Sequence, residues 1–160
     1  MSGSTPNFEK WLQARGPGLA DQLARERNAI CRVVSGRLER TFPELCDDPE
    51  RPDRESFRRS ALERSPERLH TLLQTALRLQ TLSVVEQEYR WLLGVLPRYG
   101  ITARHMLAMA GWYFSEARAR LALDPIELAG LNELKRAVLR AIRAETAAAM
   151  GGEPPDGLTG

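Results

Sequence analysis

Apolar residues recur every three to four positions through most of the chain, the spacing that gathers side chains on one face of an α-helix. Phe8, Trp11 and Leu12 predict a short helix from about Phe8 to Ala14, which Gly16-Pro17-Gly18 is expected to stop. A longer helix follows from about Leu19 to Thr41, with Leu23, Ile30, Val34 and Leu38 on its inner face. Pro43, Pro49 and Pro52, interspersed with Asp47, Asp48 and Asp53, mark a loop. Ser65 before Pro66 has the form of an N-cap followed by proline at the first helical position, opening a helix that carries Leu69, Leu72, Leu73, Ala76, Leu77 and Leu79. Ser83 with Glu86 three residues on forms a capping box for a helix through Tyr89, Leu92, Leu93 and Leu96, which Pro97 and Gly100 end. Thr102 caps the next helix, whose face is Met106, Met109, Ala110, Tyr113, Ala117 and Leu121. Asp124-Pro125 with Glu127 caps the last one, in which Leu131, Leu134, Val138, Ile142 and Ala149 continue the pattern to Gly151. No segment alternates in the manner of a strand, so the predicted class is all-α.

Composition narrows this to one domain. The chain has 160 residues, of which 42% are hydrophobic and 28% charged, with a mean hydropathy of -0.38. That is enough for a single core and too little for two. Residues 7–150 are expected to form the domain, residues 1–6 a flexible tail and residues 151–160 a disordered one. The net charge is +2 and the basic residues are interleaved with 21 acids, so no uncancelled basic stripe calls for nucleic acid. No run of about 18 apolar residues occurs, which gives a non-membrane expectation. Cys31 and Cys46 lack CxxC spacing and histidine companions, so neither zinc nor a disulfide framework is expected, and a reducing cytoplasm fits. There is no Gly-rich phosphate loop, nucleophile elbow or HExxH, and the expectation is a protein that is not an enzyme.

One stretch carries more than periodicity. Leu92-Leu93-Gly94-Val95-Leu96-Pro97-Arg98-Tyr99-Gly100-Ile101-Thr102-Ala103-Arg104-His105-Met106 resembles the junction of the F and G helices of a globin. On that pattern Tyr99-Gly100-Ile101 is the turn, and Leu96 stands where haem globins carry the histidine that binds iron. A leucine has no lone pair to give, so the resemblance implies a globin without haem. Upstream, Arg37-Leu38-Glu39-Arg40-Thr41-Phe42-Pro43-Glu44-Leu45 is similar to the end of a globin B helix running into the C region. The Thr41-Phe42-Pro43 step, the additional amino-terminal helix and the arginine-rich Arg58 to Arg68 segment resemble phycobiliproteins and the globins associated with bilin biosynthesis. The fold so implied is globin-like, roughly seven to eight helices with an extra one at the amino terminus. Phycobiliproteins hold their bilin through a cysteine, and Leu62-Glu63-Arg64-Ser65-Pro66-Glu67-Arg68 contains none, so covalent attachment in the family manner is excluded.

What remains is non-covalent binding of a bilin or other tetrapyrrole, or of a protein partner from bilin metabolism. The candidate cofactor-binding residues are Arg64, Arg68, His70, Tyr89 and Tyr99, with Arg59, Arg78, Trp91 and Trp112 as further contributors. Guanidinium forks pair with propionate carboxylates, and aromatic walls flank a flat conjugated ring. The alternative for the arginines is a solvated helix face paired with Glu55, Glu63 and Glu67. His70 and His105 are expected to be surface or hydrogen-bonded structural residues, Cys31 a small core residue, and no metal is expected. Met106, Leu107, Met109, Trp112, Tyr113 and Phe114 make one helix apolar around more than one stripe, from which a homodimer through the last two helices is expected. A dimeric sensor globin of the stressosome type, acting without a cofactor, is the alternative function.

Overall fold

The computed structural model describes residues 6–45 and 52–151. Among them there is no strand, and the chain is helical almost throughout: α1 (Pro6–Thr41), α2 (Arg54–Arg59), α3 (Ser65–Arg78), α4 (Ser83–Val95), α5 (Ala103–Arg120) and α6 (Pro125–Gly151). A π-helical turn, Ser60–Arg64, joins α2 to α3, and 3-10 turns occupy Pro43–Leu45 and Leu96–Tyr99. The described residues therefore form five continuous helical rods, not the seven to eight helices expected. Of the expected tails, only Pro6 and Gly151 fall within the described residues, and both are helical; Cys46 and most of the proline-containing loop lie outside them.

The missing break is at Gly16-Pro17-Gly18, which α1 passes through. A proline inside a helix costs about 3 kcal/mol, whereas Leu12, Leu19 and Leu23 on either side are all fully buried, each contributing about 1.5–3 kcal/mol. Packing therefore outweighs the local penalty. Gly16 also lets two helices approach closely, since a Cβ there would stand 2.9 Å from the Leu77 carbonyl oxygen of α3.

Two expected caps are absent. Ser65 is the first residue of α3 and not its cap; the chain enters α3 from the π turn, and the Ser65 hydroxyl donates back to the Ser60 carbonyl at 3.2 Å. Ser83 is the first residue of α4, and its N–H donates to Thr81 Oγ1 at 3.3 Å instead of a Ser83/Glu86 box forming. The other two are present. Thr102 and His105 form a capping box at the start of α5, and Asp124 Oδ1 accepts the Glu127 N–H at 2.7 Å at the start of α6. That N–H holds the Asp124 carboxyl below the usual carboxylate range.

α1 is the common neighbour. Its first half meets α6 through Trp11, whose indole N–H donates to the Ile126 carbonyl at 3.1 Å, and through Arg15 with Asp124 at 3.1 Å. Its middle meets α3, where Gln74 donates to the Ala20 carbonyl at 2.8 Å, and its second half meets α5, with Arg37 beside Glu116 at 3.7 Å. α6 also packs on α4 and α5. α5 thus has α1, α3 and α6 around it, and Met106, Met109, Tyr113 and Phe114 are buried within the single chain. Much of the apolar surface on α5 that led to the expectation of a dimer is thus core, while Leu107 and Trp112 are partly buried at its edge.

Candidate ligand-binding cleft

A cleft opens between α3, α4 and the start of α5, with Leu38 of α1 and Leu45 also in its lining. It encloses about 530 Å³ counting its open mouth, of which the centre of a water molecule can reach about 40 Å³. Each helix supplies one stripe at helical spacing: Leu69 and Leu72 from α3, Tyr89 and Leu92 from α4, Met106 and Met109 from α5. Leu96 completes the wall from the 3-10 turn. Its place is set by Gly100, which takes φ 83° and ends that turn with its N–H on the Pro97 carbonyl, while the Ile101 N–H returns to the Leu96 carbonyl at 3.2 Å.

The polar groups of the lining are few and mostly engaged. Arg68 Nε donates to Glu88 Oε1 at 2.8 Å, and the guanidinium lies 5.1 Å from the centre of the exposed Trp91 ring. His105 is buried in the wall, with Phe42 edge-on at 4.7 Å. Its Nδ1 accepts the Thr102 N–H at 3.0 Å, which places the proton on Nε2, 3.2 Å from Glu44 Oε1. Both ring nitrogens are therefore occupied. The Glu44 carboxyl is held below its ordinary range by its own backbone N–H and then by His105. Tyr89 differs from these: it is 2% exposed, and among the described residues its hydroxyl has no hydrogen-bond partner. Burial, then the Glu88 charge, raises its pKa, so the O–H stays protonated and is a donor.

Of the five residues expected to bind a cofactor, Arg68 and Tyr89 line the cleft and Arg64, His70 and Tyr99 do not. Arg64 ends the π turn, whose wider winding changes the phase between residues before Ser65 and those after it, and its side chain is exposed. His70 is two residues from Arg68 and so on another side of α3. It is buried, with Nδ1 2.6 Å from the Tyr113 hydroxyl, as a hydrogen-bonded structural histidine. Tyr99 is half exposed on the 3-10 turn. Arg78 is paired with Asp21 across to α1, and Trp112 packs on Phe42. Glu88, His105, Met106 and Met109 were not anticipated as lining residues. Glu88 precedes Tyr89 at the border of the apolar stripe, a position that the periodicity marks once Tyr89 is chosen.

Among the described residues no group of three or more His, Cys, Asp or Glu is placed to hold a metal, and no helix is long and apolar enough to cross a membrane. The chain matches no family model, no curated protein and no solved structure.

Proposed function

We propose that this chain is a haem-free, globin-like binding protein that holds an apolar ligand non-covalently in the cleft between α3, α4 and α5. The observation that carries the reading is Leu96. The residue that stands at the iron ligand's place in the globin resemblance is part of the cleft wall, and the one histidine of that wall has both nitrogens engaged. A proximal imidazole for haem iron is then lacking, while the apolar lining suits a carbon framework. The order of elements supports the globin reading too: a Tyr99-Gly100-Ile101 turn between cleft-forming helices, followed by two long packed helices. A bilin is the ligand that the resemblance implies, and Arg68 and Tyr89 are the residues that would meet it.

Absorption titrations of the full chain with biliverdin and with haem, and fluorescence titration with the neutral dye Nile red, test this. Saturable uptake of the dye is expected, abolished in Leu96→Trp, with no axial-imidazole Soret shift for haem; saturable uptake of biliverdin would extend the site to the ligand that the resemblance implies. Absence of uptake, or uptake that Leu96→Trp leaves unchanged, would overturn it.

A further inference from the structure

We infer that the cleft takes a neutral, slender, largely apolar molecule bearing one carbonyl or hydroxyl oxygen, which accepts a hydrogen bond from Tyr89. The inference rests on the reading of the cleft as a ligand site, and it names the ligand's chemistry. Three observations carry it.

The first is the Tyr89 hydroxyl, a buried donor in the lining with no partner among the described residues. An unmet buried donor costs about 1–3 kcal/mol and calls for a partner that the chain does not provide. The second is charge. The formal charges of the lining are Arg68 and Glu88, held together at 2.8 Å. They cancel, so a carboxylate entering the slot is desolvated with no net counter-charge to receive it, and a tetrapyrrole with two propionates asks for cations that lie outside the cleft. The third is shape. Room for a water centre amounts to about 40 Å³, against about 10–15 Å³ for a single water. A space of that size among Leu, Ile and Met side chains suits a short chain or small ring, and the methionines can adjust around it.

The full chain and Tyr89→Phe are titrated at pH 7 with 2-octanone, octanoate and octane, each displacing Nile red. Tyr89→Phe removes an unpaired hydroxyl and keeps the ring, so the variant folds. The native chain is expected to bind 2-octanone at least about tenfold more tightly than octanoate. Tyr89→Phe is expected to weaken 2-octanone by about fivefold to tenfold, the value of one hydrogen bond, and to leave octane unchanged. Octanoate binding as well as the ketone, or a ketone affinity indifferent to Tyr89→Phe, overturns the inference while the cleft stands as a binding site. Failure of all three to displace a dye that Leu96→Trp also leaves bound removes the site itself, and the inference with it.

Discussion

The Ser35 hydroxyl of α1 donates a hydrogen bond to the Leu62 carbonyl in the π turn. In a regular α-helix that carbonyl is served by the N–H of residue 66, and residue 66 is proline. A side chain from a neighbouring helix thus replaces the donor that the proline lacks. The same bond ties α1 to the turn that brings Ala61 and Ser65 into the cleft wall.

Ser35→Ala is expected to destabilise the fold by about 1–3 kcal/mol, because it leaves a buried carbonyl unpaired. Adding Pro66→Ala restores an N–H at the α-helical position and should recover part of that loss. A double-mutant cycle by urea denaturation measures both, and equal effects of Pro66→Ala in the two backgrounds would contradict the relationship.

Acidification should unfold the chain through His70. Burial first, and Arg27 second, push its pKa from 6.5 down to about 4, and its Nδ1 shares a hydrogen bond with the Tyr113 hydroxyl at 2.6 Å. A histidine with a depressed folded pKa leaves stability intact above pH 6.5; as pH falls from there to 4, the unfolded chain takes up the proton first. The loss is on the order of 3 kcal/mol in full and about 2 kcal/mol at pH 5. Denaturation at pH 7 and pH 5 should show this for the native chain and a smaller difference for His70→Gln.

Gly130→Ala should be among the costliest single-methyl changes. A Cβ at Gly130 would lie 1.8 Å from Trp11 Cε2, so the indole must leave its place, giving up the bond to the Ile126 carbonyl and its stacking on Phe8 at 5.5 Å. A loss of about 2–3 kcal/mol is expected, partly recovered by Trp11→Leu in the same chain, as thermal denaturation of the single and double variants will show.

Gln80→Gly should stabilise. Gln80 holds φ 55° in the turn between α3 and α4, a conformation that costs an L-residue about 1–2 kcal/mol. Glycine relieves that and gives back part through chain entropy, for a net gain of about 0.5–1 kcal/mol. Gln80→Ala, which keeps a Cβ, should gain nothing; an equal gain in both variants would place the effect elsewhere.

Part of the cleft was legible and part was not. Tyr89, Leu92 and Leu96 share one stripe of α4 and its extension, and helical periodicity alone groups them. Arg68 was found by charge. Arg64 and His70 were grouped with it because sequence proximity ignores rotation about the helix axis and the phase change of the π turn. The apolar breadth of α5 reads differently in the fold for a related reason, since a stripe count cannot say how many neighbours a helix will have: α1, α3 and α6 cover most of it.

Local sequence alone decided that the chain is all-α and where Thr102 and Asp124 start their helices, because apolar periodicity and caps are local properties that a few consecutive residues settle. Tertiary packing decided that α1 runs through Pro17 and that Tyr89 is buried, its hydroxyl without a partner among the described residues. Each of these depends on neighbours distant in the chain, whose burial is worth several kcal/mol and overrides local preferences of about one to three.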